Sequence, residues 1–417
     1  MRVIIAGAGI AGLTAALSLH AAGLEPLVLD TSRELRPLGV GINLLPHAVR
    51  ELAELGLAGP LAAAGIETAE QAHFDRHGNL IWSEPRGTAL GYRWPQYSVH
   101  RGQLQMILLE ALRDRAGAQA VRTATTVTGF TQRGGAVAVH AAGRDGSEPL
   151  RLDGDALIGA DGLYSAVRAA LHPGEAAPRW SGVMMWRGIA EAPPFLSGAT
   201  VAICGSNAAA KFVAYPVAQA ADGGLLVNWV AEAMVGGGQP PARPDWTRSG
   251  LLADVMAWFA DWKLGWLDVP GLIARSPQVL EYPMVDRDPL PWWGRGRVTL
   301  IGDAAHPMYP IGSNGGSQAI IDARVLAGRL AACDGDVPAG LAAYEKARLE
   351  ATSAIVLANR DMPGDRVLSE VAARAPGGFS RIEDVMSPAE LAALRDAYRA
   401  TSLQDAADLN ARPSYLP

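Results

Sequence analysis

The chain has 417 residues, 49 % of them hydrophobic, and a formal net charge of −6. That length exceeds one ordinary domain and can bury a large core. The basic residues are scattered, and Lys211, Lys263 and Lys346 are the only lysines, so no basic face for nucleic acid is expected.

Cys204 and Cys333 are the only cysteines, and no CxxC exists. This argues against a thiolate zinc site or a redox dithiol, and two buried free thiols are expected. The first strand is expected to start at Arg2, and no signal peptide is expected. No apolar run reaches the ~18 residues of a membrane span. The expectation is a soluble, cytoplasmic protein with no metal site.

In chain order, "RVIIAGAGIAGLTAALSLHAAGLEPLVLD" reads as strand, turn, helix and strand. Gly7, Gly9 and Gly12 form GxGxxG, and Asp30 lies 18 positions beyond Gly12. With that context the motif is a full dinucleotide fingerprint. Gly7 allows the tight turn, Gly9 lets a pyrophosphate reach the backbone, and Gly12 lets helix and strand approach. Asp30 is placed to accept from ribose hydroxyls. "LRPLGVGINLLPHAV" follows, an exposed loop with Gly39 and Gly41 leading to a helix at Pro46. "QYSVHRGQLQMILLEAL" places Arg101 just before a helix, where it can grip phosphate. "DALIGADGLYSAVRAAL" gives a strand, an Asp161-Gly162 turn and Arg168.

From about residue 173 to 283 the texture changes to short strands bounded by Gly, Ala and Pro, a mostly antiparallel sheet. Seven of the eleven tryptophans (180, 186, 229, 246, 258, 262 and 266) fall there, mostly as expected core. "GRVTLI" is then a buried strand, and "GDAAHPMYPIGSNGGSQAIIDA" follows it: an aspartate, a glycine-rich turn and a helix. A long helix covers "GLAAYEKARLEATSAIVLANRDM". In the polar tail, Ser387 to Glu390 form a capping box.

GxGxxG at 7–12, Asp-Gly at 161–162 and Gly-Asp at 302–303 stand in one order. Together they resemble the single-component FAD-dependent aromatic monooxygenases of the para-hydroxybenzoate hydroxylase fold. Stretches such as "RPLGVGIN", "PQYSVHRGQLQMILL", "MWRG" and "YPMVDRDPLPWWGRGRVTLIGDAAHPMYPIGSNGGSQAI" are most similar to the phenazine hydroxylases within it. The resemblance implies an α/β fold: a Rossmann-like FAD-binding domain, an interleaved, mostly antiparallel substrate sheet, and C-terminal helices. The expected boundaries are 1–172 and 284–355 for the FAD domain, 173–283 for the sheet and 356–417 for the tail.

It also implies one noncovalent FAD gripped from both ends. Gly7, Gly9, Gly12 and Asp30 hold the ADP half, Arg101 the phosphates, and the backbone at Val127 the adenine. Asp303 takes the ribityl hydroxyls. Gly41, Ile42 and the loop with Gly312, Asn314, Gly315 and Gly316 border the flavin ring, a helix N-terminus favouring the reduced anion. Asp161 and Arg168 link the pyrophosphate region to docking of NADH or NADPH. The reaction implied is hydroxylation of an electron-rich, phenazine-like or polycyclic aromatic ring by O2 through a flavin C4a-hydroperoxide. Rivals are epoxidation or Baeyer–Villiger insertion, and an FAD-dependent reductase or dehydrogenase. Pocket walls are expected from Met184, Trp186, Arg187, Tyr215 and Pro310, with Trp186 and Arg187 on opposite strand faces. His306 is expected as a neutral histidine bonded to backbone.

Overall fold

The structure is a computed structural model that describes residues 1–417 except 145–148, 222, 238–247, 362, 403–404 and 417. Trp246 lies outside the described residues. The strands are β1 (Arg2–Ala6), β2 (Glu25–Leu29), β3 (Gly41–Leu44), β4 (Gly65–Glu67), β5 (Glu70–Phe74), β6 (Leu80–Pro85), β7 (Tyr97–His100), β8 (Val121–Arg122) and β9 (Thr125–Arg133). Then come β10 (Ala136–Gly143), β11 (Leu150–Gly154), β12 (Ala156–Gly159), β13 (Arg179–Ala192), β14 (Thr200–Gly205), β15 (Ala210–Gln219), β16 (Leu225–Met234), β17 (Val279–Asp286) and β18 (Val298–Leu300). The helices are α1 (Ile10–Ala21), α2 (Pro46–Glu54), α3 (Ala58–Ala64), α4 (Arg101–Ala116), α5 (Ala166–Leu171), α6 (Leu252–Phe259), α7 (Val269–Ala274), α8 (Asn314–Ala331), α9 (Val337–Arg360), α10 (Pro363–Arg374), α11 (Pro388–Ser402) and α12 (Ala406–Ala411).

Two large sheets organise the chain. The first has the parallel order β18-β12-β1-β2-β8. Its strands are continuous apolar runs because both faces are covered; Val3, Ile4, Ile5, Leu157, Ile158 and Leu300 are fully buried. Helices α1 and α8 pack against one another beside it. The second sheet has the order β17-β13-β16-β15-β14-β5-β6 and is antiparallel except for the β14–β5 pair. It extends beyond the expected 173–283 stretch, taking the hairpin β5–β6 from early in the chain. A small sheet, β3-β7-β4, packs against β15.

The second sheet has two different faces, set by the period-two alternation of its strands. Met184, Trp186, Phe212, Trp229 and Ala231 point toward α6 and α7 and form one core with Phe259, Trp262 and Leu272. Trp229 is the centre of that core and is fully buried. A β-carbon at Gly188 would lie 2.6 Å from its ring, so only glycine fits there. The other face carries Val183, Met185, Tyr282 and Met284, packed with Val40 and Tyr309.

The tail closes over one end of this second face. Val367, Leu368 and Val371 of α10 pack with Ile81, Trp82 and Met386. Ser387 and Glu390 form the expected capping box: Ser387 N–H donates to the Glu390 carboxylate at 2.9 Å, and Glu390 N–H donates to Ser387 Oγ at 3.3 Å. Arg399 bonds Glu84 at 2.7 Å. Lys211 pairs with Glu232 at 2.9 Å and with Asp365 of α10 at 3.2 Å, all three buried. Burial alone would lower the lysine pKa, but the two carboxylates outweigh it and push it up.

Lys211→Met would leave two carboxylates buried without their cation. Removing one partner of a buried ion pair costs about 3–5 kcal/mol. Urea unfolding of the variant should show a loss of that order, and an unchanged midpoint would mean that α10 is not docked as described.

Candidate active site

β1 runs into Gly7, whose φ of +102 and Ala160 carbonyl, 2.5 Å from a hypothetical β-carbon, require glycine. At Gly12 a β-carbon would lie 1.9 Å from the Gly7 carbonyl, so this glycine lets α1 close on the turn. Gly9 is different: a β-carbon there meets nothing within 4 Å. Packing does not demand that glycine; the space in front of it fits an approaching ligand. Gly9 is the N-cap of α1 and supplies no side-chain cap, so first-turn N–H groups are left for an anion.

Asp30 Oδ2 accepts Ala8 N–H at 2.7 Å and Oδ1 accepts Ser32 N–H at 2.8 Å. The carboxylate therefore braces the turn, and each oxygen keeps acceptor capacity for a ribose hydroxyl. Thr125 N–H bonds the Asp30 carbonyl at 2.8 Å, which brings the start of β9, with Val127, to the same end of the sheet. Arg101 is exposed as the first residue of α4, and its N–H donates to the Val40 carbonyl at 2.9 Å.

The Gly-Asp motif meets this region through α1. A β-carbon on Gly302 (φ +56) would lie 3.0 Å from Ala11 Cβ and 3.2 Å from Ala319 Cβ. Asp303 is exposed beside its buried neighbours. α8 begins at Asn314, after Ser313 with φ +57, and has no side-chain cap. Asn314, Gly315 and Gly316 are thus a helical first turn, and its N–H groups are the donors available to a ring edge. Asn314 is buried, and its Nδ2 has no partner among the described residues. Ser317 Oγ accepts Leu45 N–H at 3.2 Å, tying this turn to the segment after Ile42. Ile42 Cδ1 lies 2.6 Å from a β-carbon built on Gly316. Two uncapped helix starts, an exposed aspartate, an orphaned amide and the open space at Gly9 fit an FAD held at both ends.

Asp322, which the sequence reading missed, holds the motif from behind. It is fully buried and accepts Gly302 N–H at 3.0 Å, His306 Nε2 at 2.5 Å and Arg348 Nε at 2.8 Å. Burial favours its neutral form, yet the His306 and Arg348 charges outweigh that and hold its pKa at about 2. His306 therefore bonds a carboxylate, not the expected backbone group. An acid among Ile320, Ile321 and Ala323 in "SQAIIDARVLAG" was the available signal.

Arg168, Met184 and Trp186 do not take their expected roles. Arg168 is buried, and its donors are spent inside the protein. It bonds Glu175 at 2.8 and 2.5 Å and the Ala304 and Ala305 carbonyls at 3.0 and 2.9 Å. The guanidinium props the Gly-Asp turn and presents no free donor to a nicotinamide cosubstrate. Ser165 is the N-cap of α5, and Asp161 backs it, accepting a bond from the Ser165 hydroxyl and, at 2.7 Å, from Ala166 N–H. It also backs the Gly7 turn, its Cα 3.1 Å from a β-carbon built there. Trp186 and Met184 face the α6–α7 core, away from Gly41, so neither is a pocket wall; Trp186 Nε1 bonds Glu281 at 3.1 Å.

Arg187, on the opposite face, donates to the Gly41 carbonyl at 2.6 Å. It also interacts with Tyr215 and Tyr282. Burial raises the Tyr215 pKa despite Arg187, so its phenol remains a donor at neutral pH. Asn228 Oδ1 accepts Gly41 N–H at 2.7 Å. Pro310 is exposed between Tyr309, which packs on this face, and Ile311. Arg187, Tyr215, Asn228 and Tyr282 thus gather around the Gly41–Ile42 loop. Cys204 and Cys333 are both free; Cys204 is buried as expected, whereas Cys333 is partly exposed.

Three measurements follow from this geometry. Gly9→Val should abolish FAD binding and lower the melting temperature of FAD-free protein much less than Gly12→Val, which meets the Gly7 carbonyl. Asp303→Ala should weaken FAD binding by on the order of 1.5–3 kcal/mol, the worth of a charge-assisted hydrogen bond; normal affinity in both Gly9→Val and Asp303→Ala would overturn the assignment. Asp322 titrates below an unfolded carboxylate near ~4, so its contribution is complete above that pH and is lost as pH falls toward 2. Asp322→Asn should flatten this acid limb in unfolding followed by circular dichroism.

Residues 1–358 match the sequence profile of the family described as "FAD binding domain". The chain is 47 % identical over 401 residues to the phenazine 1,6-dicarboxylic acid hydroxylase PhzS of Lysobacter antibioticus, covering 95 % of this chain and 96 % of that protein. It is 32 % identical over 371 residues to 3-hydroxybenzoate 6-hydroxylase 1 of Aquipseudomonas alcaligenes, covering 85 % and 86 %. Klebsiella pneumoniae HpxO, solved with FAD and uric acid, superposes with a TM-score of 0.74 at 26 % identity over 95 % of this chain and 96 % of that one. The chain therefore belongs to the FAD-binding-domain family, as a single-component FAD-dependent aromatic monooxygenase of the para-hydroxybenzoate hydroxylase fold.

Proposed function

We propose that this enzyme hydroxylates a phenazine carboxylate or a closely related polycyclic aromatic acid. The observation that carries the reading is the degree of identity to the phenazine hydroxylase, 47 % over 401 residues against 32 % over 371 for the 3-hydroxybenzoate hydroxylase. That match spans 95 % of the chain, whereas the family profile stops at residue 358. The added part is the tail, and α10 closes the same sheet face that carries Tyr215 and Arg187. Arg187 gives that face a permanent positive charge, which suits an aromatic carboxylate.

Bound FAD would take two electrons from NADH or NADPH and use them to activate O2. The balance is one aromatic C–H, one NAD(P)H, one O2 and one proton giving a phenol, NAD(P)+ and water. The chain's part is to hold, orient and exclude water. Gly7, Gly9, Asp30, Arg101 and the Val127 backbone would hold the ADP half, and Asp303 the ribityl chain. Gly41, Ile42, Gly312 and the first turn of α8 would border the ring, with Pro310 beside it. Tyr215 would donate a hydrogen bond to the substrate, and Arg187 would orient its anionic group. Asp161 and Arg168 would act through the two turns they brace.

Turnover with labelled O2 and phenazine carboxylates should place one labelled atom in the product. Unlabelled product, or NAD(P)H oxidation with no oxygenated product, would point to a dehydrogenase. Tyr215→Ala should raise the peroxide released per NAD(P)H. Trp186→Ala should instead cost stability, about 3–5 kcal/mol as for large-to-small changes in a core, with coupling unchanged.

A further inference from the structure

We propose that Asn228 is a positioning residue of the flavin site. Its amide latches the Gly41–Ile42 backbone to the substrate sheet and so fixes one wall of the ring site. The proposal rests on the reading that Ile42 and the first turn of α8 border the ring.

Asn228 is fully buried in a central strand. An amide in such a place is costly unless it is hydrogen-bonded. Its Oδ1 accepts Gly41 N–H at 2.7 Å across 187 residues of sequence. The carbonyl of the same Gly41 accepts Arg187 Nη2 at 2.6 Å. β3 is an edge strand of its sheet, and an edge leaves backbone groups without partners. Asn228 and Arg187 therefore do for Gly41 what a neighbouring strand would have done. The approach is close: a β-carbon on Gly41 would lie 2.7 Å from Asn228 Cβ and 2.8 Å from Tyr215 Cε2.

The next residue transmits the grip. Ile42 Cδ1 lies 2.6 Å from a β-carbon built on Gly316, so the gap between this loop and the start of α8 is set by where Gly41 is held. Gly39, at φ +106 with open space around it, can turn. Gly41 is held by two bonds, one buried and one partly buried.

The test uses FAD-loaded enzyme. Asn228→Leu keeps the branched shape and removes the acceptor; Asn228→Asp keeps the acceptor at the same atom. FAD content should remain one per chain in both, because Gly9 and Asp303 are untouched. Asn228→Leu should change the visible circular dichroism of the bound flavin without any turnover. It should also raise peroxide per NAD(P)H several-fold, while Asn228→Asp stays close to wild type. If Asn228→Leu does not accumulate folded, Asn228→Ser, too short to reach Gly41, is read in the same way. A wild-type flavin spectrum in the Leu or Ser variant overturns the proposal, as does equal disturbance in Asn228→Asp. A changed flavin spectrum in an enzyme that never incorporates labelled oxygen leaves the latch standing and removes the monooxygenase reading.

Discussion

The molecule depends on a close approach at Gly302. A β-carbon here would press on Ala11 and Ala319 at 3.0 and 3.2 Å, and the glycine lets α1 and α8 start side by side although some 300 residues separate them. Each helix begins without a side-chain cap, so two sets of unpaired N–H groups and two positive helix ends share one region. An anionic cofactor with a polar middle is the natural occupant. The turn is held from behind by charged groups that need not touch the cofactor: Asp322 on the Gly302 N–H, and Arg168 on the Ala304 and Ala305 carbonyls. Asp322 keeps its charge under full burial because His306 and Arg348 oppose the desolvation.

The second sheet separates stability from chemistry by alternation. One face is spent on an aromatic core around Trp229. The other gathers Arg187, Tyr215, Asn228 and Tyr282 over the Gly41 loop and is closed at its far end by α10. Substitutions one residue apart in β13 therefore fall in different regimes, as Trp186 and Arg187 illustrate. The tail adds a buried ion cluster and an apolar layer to that second face. Relatives that differ in this segment can differ in pocket shape without touching the cofactor grip.

Much of this was legible in the sequence. GxGxxG with Asp30, the Asp161-Gly162 turn and the Gly302-Asp303 turn each carry local strand–turn–helix context, so their place in the fold could be read. The alternation in "SGVMMWRGIAEA" showed that Trp186 and Arg187 diverge, but not which one meets the cofactor domain, because that depends on how the sheets dock. Asn228 was invisible because its partner lies 187 residues away. Arg168 was expected to link the pyrophosphate region to NAD(P)H docking because the family resemblance implied it; only its enclosure by Glu175 and two carbonyls reveals a structural role. The β5–β6 hairpin escaped for a similar reason: its pairing with β14 is non-local.

The account's central claim is that one FAD is gripped by two chain segments some 300 residues apart. A crystal structure of the FAD complex tests it most directly. The account places the pyrophosphate at Gly9 and the start of α1, the ribityl hydroxyls on Asp303, and the ring between Ile42 and the first turn of α8. Flavin density elsewhere, or an Asp303 carboxylate turned away from the ribityl chain, would contradict it.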